Sequence, residues 1–143
     1  MPRQCPPESV RTTPPGALQA FLVEDSAAVR ALIIENLSDI PGLVFAGFAD
    51  AEADALACLR AQRYDIVIFD IELRQGNGIS LLRSLAATET LPESLKVIFS
   101  NNVSTAYRRV AEQYGVQHFF DKSSDLPMLH ALLSQVSAQH RCT

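Results

Sequence analysis

Short apolar runs alternate with longer amphipathic stretches along most of the chain. The apolar runs predict five β-strands, at residues 17–23, 43–49, 65–69, 96–99 and 118–120. The stretches between and after them predict five helices, at residues 26–40, 51–63, 79–85, 104–114 and 125–136. Strict alternation of strand and helix is typical of a parallel, doubly wound α/β sheet with right-handed crossovers.

Residues at the segment ends support these boundaries. Ser26, Asp50 and Asp125 each precede a predicted helix and are typical N-cap residues. Gly115 follows the fourth predicted helix, where glycine commonly ends a helix. The strand at 65–69 is almost continuously apolar, which predicts burial on both faces of the sheet.

The two ends of the chain lack this alternation. Residues 1–17 contain five of the eight prolines and are predicted to form a disordered, proline-rich tail. A single domain is expected over residues 18–137, since 143 residues suffice for one buried core. Residues 138–143 are expected to be a short C-terminal tail, with no room for an output domain.

Composition and charge exclude several classes of protein. The chain is 48% hydrophobic and 20% charged, as in ordinary globular proteins, and no run approaches a membrane-spanning length. A net charge of −4 without a basic stripe argues against direct nucleic-acid binding. Cys5, Cys58 and Cys142 lack metal-site spacing, so they are expected to be reduced thiols of a cytoplasmic protein.

Polar residues follow four of the predicted strands. Glu24 and Asp25 follow the first strand, Asp70 the third, Ser100 the fourth, and Lys122 comes just after the fifth. Ligand sites of open parallel sheets lie outside the carboxyl ends of the strands, so these side chains are expected to converge.

The expected cluster is rich in oxygen and free of sulfur, which suits Mg²⁺. With a cation bound, Asp70 stays ionised despite its acidic neighbours and can act as a nucleophile toward phosphorus. Lys122 and the metal would neutralise a transferring phosphoryl group, and Ser100 could donate a hydrogen bond to the product.

Most of these residues also have an ordinary structural explanation. Glu24 and Asp25 can favour the positive end of the next helix, Ser100 can form a turn, and Lys122 can be a solvated loop cation. Asp70 is harder to explain in this way, because an ionisable group that closes a buried apolar run needs compensation. The prediction of a site therefore depends on the combination.

The strings FLVEDSAAVR, DIVIFDIELRQGNGISLL, VIFSNN and FFDKS resemble the response-regulator receiver domain of two-component signalling. The resemblance covers about residues 18–136 and implies a flavodoxin-like fold with five parallel strands in the order 2-1-3-4-5. It implies a signalling switch, not an enzyme, that takes a phosphoryl group onto Asp70 with Mg²⁺, and the shortness of the tails leads us to expect a stand-alone domain. The implied donor is a sensor histidine kinase or phosphotransfer protein, and the output is a changed contact with an unknown downstream protein.

The resemblance also implies roles for the acidic residues. Asp70 matches the phosphoacceptor and a metal ligand, and Asp25 matches a direct metal ligand. Glu24 matches an acid that reaches the metal through water. The backbone carbonyl of Glu72 matches the third ligand that the protein supplies.

Other positions match the switch of the family. Ser100 matches the switch hydroxyl, Phe119 the aromatic side chain whose rotamer reports phosphorylation, and Lys122 the lysine of the site. Gly78 matches the glycine after the acceptor loop.

Three positions differ from the family pattern. Ser123 replaces a proline that usually follows the lysine in a cis peptide, and without proline the cis form costs about 2.5–4 kcal/mol. Asn101 stands where a very small residue is usual, and Glu72 where a neutral or amide side chain is common. All the reacting groups are nevertheless present.

Three rival functions explain the sequence less well. Asp70-Ile71-Glu72 superficially fits an aspartate-nucleophile phosphatase, but that family places its nucleophile after the first strand. A flavin or dinucleotide protein would need a phosphate cradle, and the loop EDSAA offers no glycine-rich one. A phosphorylation-independent binding module of the same fold is the third alternative, although Asp70, Asp25 and Lys122 are all present.

Overall fold

The computed structural model describes residues 16–88, 93–101 and 104–141. It contains five strands, β1 Leu18–Val23, β2 Leu43–Ala49, β3 Ile66–Phe69, β4 Leu95–Ser100 and β5 Val116–Asp121. It also contains five helices, α1 Ala27–Leu37, α2 Glu52–Ala61, α3 Gly78–Ala87, α4 Thr105–Gln113 and α5 Leu126–Arg141. The strands pair in parallel in the order β2-β1-β3-β4-β5, which confirms the expected topology.

The sheet separates two apolar cores. Residues of α2, α3 and α4 pack over one face, and residues of α1 and α5 pack over the other. The side chains of β3 alternate between the two cores: Val67 and Phe69 enter one, and Ile66 and Ile68 enter the other. All four are almost fully buried, as the apolar run predicts.

The sequence predicts the cap of α1 correctly and the cap of α2 wrongly. Ser26 caps α1, because its hydroxyl accepts a hydrogen bond from the amide of Val29 at 3.2 Å. The predicted cap at Asp50 is wrong: α2 begins at Glu52, with Ala51 at the N-cap and no side-chain capping bond. The Asp50 carboxylate instead pairs with Arg74 at 3.0 Å.

The last helix is longer than the sequence suggests. α5 continues to Arg141, so residues 138–141, predicted as tail, are helical. Two long-range contacts hold this last turn: the buried Ser137 donates to the carbonyl of Pro41, and His140 Nε2 lies 2.9 Å from the carbonyl oxygen of Gly16. Residues 1–15 and 142–143, which include most of both predicted tails, lie outside the described residues.

Two further observations concern the cysteines and the length of the helices. Cys58 is buried in α2 and is disulfide-bonded, so the prediction of a reduced thiol is wrong for this residue. Cys5 and Cys142 lie outside the described residues. Across 16–88, 93–101 and 104–141, no helix is both long and apolar enough to span a membrane.

Strand register brings the polar strand ends to one edge of the sheet. Val23 of β1 is level with Phe69 of β3, and Ser100 of β4 is level with Asp121 of β5. Backbone hydrogen bonds continue past the strands, from the amide of Asp70 to the carbonyl of Val23 at 2.9 Å. The residues predicted to carry the chemistry therefore follow strand ends that lie side by side.

Candidate functional site

Three acidic side chains meet at the carboxyl edge of the sheet. One carboxylate oxygen from each of Glu24, Asp25 and Asp70 lies within 4.8 Å of the others. Glu24 is 1% exposed and Asp70 is 6% exposed, whereas Asp25 is half-buried. The predicted convergence of these three acids is confirmed, and Asp25 is the most accessible of them.

Lys122 supplies positive charge to this cluster. Its Nζ lies 2.6 Å from Glu24 Oε1 and 2.7 Å from Asp70 Oδ2. Burial alone would lower the pKa of Lys122, but the hydrogen bonds to Asp70 and Glu24 and the negative charges of the two carboxylates together outweigh burial and raise the pKa. The side chain therefore remains an ammonium ion that bridges two buried carboxylates.

Burial makes it costly to keep the Glu24 carboxylate ionised, even beside Lys122. Burial raises the pKa of Glu24 above its ordinary value, and the charge of Asp70 raises it further. Hydrogen bonds from Lys122 and from the amide of Ser26, at 3.0 Å, oppose this without reversing it. A cluster of three carboxylates with a single bridging ammonium fits a hard divalent cation such as Mg²⁺.

The loop after β5 is fixed by hydrogen bonds in place of proline. The Lys122–Ser123 peptide bond is trans. Asp121 accepts a hydrogen bond from the amide of Ser123 at 2.7 Å, and its own amide donates to Asp125 Oδ2 at 2.9 Å. The hydroxyl and the amide of Ser123 lower the pKa of Asp121. Asp121 thus holds the backbone that carries Lys122, a role that the Asp-Lys-Ser spacing of an Asx turn could have indicated.

The predicted switch residues lie on the neighbouring strands. Ser100 is 1% exposed at the end of β4, and the amide of Lys122 donates to its carbonyl at 3.3 Å. Phe119 on β5 is half-buried, and the Arg108 guanidinium carbon of α4 lies 4.6 Å from its ring centroid. Asn101 is exposed directly after β4.

Gly78 is required by a close approach to the proposed phosphoacceptor. A Cβ atom at this position would lie 2.2 Å from the backbone oxygen of Asp70. The amide of Gly78 donates to the carbonyl of Ile71 at 2.7 Å, so α3 begins directly against the end of β3. Glu72 is exposed in the intervening loop and forms a short antiparallel bridge with Asn77. The role of the Glu72 backbone carbonyl as a metal ligand stays a prediction.

Sequence comparison relates this chain to known proteins. A family model for the response regulator receiver domain matches residues 20–134. The DNA-binding transcriptional activator DevR/DosR of Mycobacterium tuberculosis is 38% identical over 68 residues, which are 48% of this chain and 31% of that protein. A protein-glutamate methylesterase/protein-glutamine glutaminase of Geobacillus kaustophilus is 31% identical over 108 residues, 75% of this chain and 30% of that protein. This chain thus spans less than a third of either relative.

Solved structures share the fold. The CheY-like response regulator receiver domain protein of Methanospirillum hungatei JF-1 has a TM-score of 0.74 and 17% identity, with 87% of this chain and 97% of that chain covered. The response regulator domain of Thermotoga maritima CheB has a TM-score of 0.72 and 20% identity, with 89% and 98% covered. At these identities the likeness concerns the fold.

Proposed function

The chain belongs to the response regulator receiver domain family of two-component signalling, and on that premise we propose that it accepts a phosphoryl group on Asp70. The observation that carries the proposal is the position of Lys122 Nζ, which bridges Glu24 and Asp70 within a cluster of three acids. This arrangement leaves Asp25 half-buried beside the proposed acceptor, where a cation can be bound.

In the proposed reaction a carboxylate oxygen of Asp70 attacks the phosphorus atom of a phosphohistidine. The phosphorus–nitrogen bond breaks, its electron pair stays on the imidazole of the donor, and Asp70 becomes an acyl phosphate. Lys122, already 2.7 Å from Asp70, stays beside the group and balances charge on the phosphoryl oxygens. A Mg²⁺ ion held by Asp25, Asp70 and the Glu72 carbonyl, with Glu24 reached through water, would supply the remaining positive charge.

The proposed output is a change of protein contacts. A phosphoryl group adds about −1.5 to −2 charge, which draws the Ser100 hydroxyl inward and lets Phe119 turn. The face formed by α4, β5 and α5 would then present a different surface to a downstream protein. We propose a sensor histidine kinase or phosphotransfer protein as donor, a cytoplasmic location, and a switch that assists only its own phosphorylation and dephosphorylation, with no direct nucleic-acid contact.

The proposal is tested with acetyl phosphate and Mg²⁺ by intact-mass measurement. We expect the protein to gain one phosphoryl group, which hydroxylamine removes because it cleaves acyl phosphates. An unchanged mass without phosphate release would favour a phosphorylation-independent binding module. Continuous release of phosphate over many turnovers would favour a phosphatase.

The two acids after β1 are expected to differ in metal binding. Asp25→Ala should weaken Mg²⁺ binding more than Glu24→Gln does, because a direct ligand is lost rather than one that acts through water. Calorimetric titration of both variants with Mg²⁺ measures the difference. Equal losses would mean that the direct and water-mediated roles are wrongly assigned.

Glu72 is expected to shorten the phosphorylated lifetime. Its exposed carboxylate lies two residues after Asp70, where it can orient the water that hydrolyses the acyl phosphate. Exposure and repulsion by the phosphoryl oxygens weaken this assistance, so Glu72→Ala should slow decay only about 2- to 5-fold. The phosphoryl decay rate in excess Mg²⁺ measures the effect, and unchanged or faster decay would contradict it.

A further inference from the structure

The loop of residues 71–77, here named the acceptor loop, leads from Asp70 to α3 and carries Glu72. Glu24 and Asp70 stand directly after strands that their neighbours hold in register. Glu72 lies beyond the last paired residue of β3, Phe69, where the parallel ladder has ended. The position of its carbonyl therefore depends on contacts made by the acceptor loop itself.

Glu52, the first residue of α2, holds the end of this loop with both oxygens of its carboxylate. Oε1 accepts a hydrogen bond from the amide of Asn77 at 2.9 Å, and Oε2 accepts one from the hydroxyl of Ser80 at 2.8 Å. Asn77 in turn caps α3 by accepting from the amide of Ile79 at 2.7 Å. One half-buried carboxylate thus joins the start of α2 to the start of α3.

The backbone around Glu52 holds the middle of the acceptor loop. The amide of Glu52 donates to the carbonyl of Gln75 at 3.0 Å, and Ala51 forms a parallel bridge with Gln75. Gly76 has a φ of 92°, and a Cβ atom there would lie 2.3 Å from the Cβ of Glu52. The backbone of the acceptor loop at Gly76 therefore lies so close to Glu52 that a larger side chain could not fit between them.

Asn77 connects Glu52 with Glu72. Asn77, whose amide Glu52 binds, pairs with Glu72 in an antiparallel bridge across the acceptor loop. From these contacts we infer that Glu52 is a positioning residue, which fixes the acceptor loop so that the Glu72 carbonyl can bind Mg²⁺. The inference rests on the proposed function, because it takes from there the role of the Glu72 carbonyl.

The test is the Mg²⁺ affinity of Glu52→Ala, measured by calorimetric titration of the whole chain. Loss of a group that orients a metal ligand typically weakens metal binding about 10- to 100-fold, and we expect the lower end of this range. Glu52→Gln keeps an oxygen acceptor for the Asn77 amide, so its loss should be smaller. Asp54→Ala is the matched control, since Asp54 is the other acidic residue in the first turn of α2.

Phosphorylation by acetyl phosphate separates positioning from general damage to the fold. A positioning role predicts that Glu52→Ala needs more Mg²⁺ for half-maximal labelling but reaches nearly the wild-type rate at saturation. Unchanged Mg²⁺ affinity in Glu52→Ala, or an equal loss in Asp54→Ala, would overturn the inference. Wild-type protein that binds Mg²⁺ but takes no phosphoryl group would instead overturn the proposed function alone, and wild-type protein that binds no Mg²⁺ would overturn both.

Discussion

Replacing Asp70 with asparagine is expected to abolish phosphorylation and to leave the fold intact. The amide is no nucleophile toward phosphorus, yet it has almost the volume of the carboxylate, so the site at the end of β3 stays filled. One of three clustered negative charges disappears, while Lys122 keeps its 2.6 Å contact with Glu24. The free energy of unfolding should therefore not fall. Intact mass after treatment with acetyl phosphate and Mg²⁺ measures labelling, and urea unfolding measures stability.

A second strand-ending aspartate provides the control for this variant. Asp50 follows β2 and pairs with Arg74, whereas Lys122 pairs with Glu24 and Asp70. Asp50→Asn removes the same charge from the chain. Because Arg74 belongs to the acceptor loop, labelling is compared at saturating Mg²⁺, where Asp50→Asn should leave it unchanged. Labelling of Asp70→Asn at the stoichiometry of the wild type would place the acceptor on another residue. Loss of labelling in both variants would point to an effect of net charge.

The five strands could be predicted because local patterns decide them, whereas their order was implied by the family resemblance. Each strand contains an apolar run, and the predicted run at residues 65–69 matches the four-residue strand β3 almost completely. The length of α5 could not be predicted in this way. Its last turn depends on contacts of Ser137 and His140 with residues 96 and 124 positions earlier, which no local pattern reveals.

The candidate site likewise contains residues that the sequence predicts and one that it does not. Glu24, Asp70 and Lys122 follow strand ends, so topology alone brings them together. No sequence pattern indicates a role for Glu52, because a glutamate in the first turn of a helix is common and its hydrogen-bond partners lie 25 and 28 residues away. Sequence also left the Lys122–Ser123 peptide undecided between cis and trans, and the structure has it trans.

The second large effect is a loss in the free energy of unfolding, which we expect when Lys122 is replaced. Lys122→Met keeps the apolar stem but leaves Glu24 and Asp70, 1% and 7% exposed in their side chains, without the ammonium that bridges them. Removal of one partner from a buried ion pair typically costs about 3–5 kcal/mol, and access of water to the site should reduce this to about 2 kcal/mol. Urea unfolding in the presence of a chelator measures the loss.

Added Mg²⁺ should restore most of this stability, because a divalent cation can neutralise the carboxylates that Lys122 leaves behind. The variant should also bind Mg²⁺ more tightly than the wild type, since no ammonium competes for the same oxygens.

Lys96, the only other lysine of the chain, gives a matched control. It is 6% exposed in β4, its Nζ donates to the carbonyl of Ser94 at 3.3 Å, and burial lowers its pKa. Lys96→Met removes the same charge from another buried position, so its stability should respond to Mg²⁺ as the wild type does. A Lys122→Met variant whose stability ignores Mg²⁺ would show that the three acids do not form a cation site.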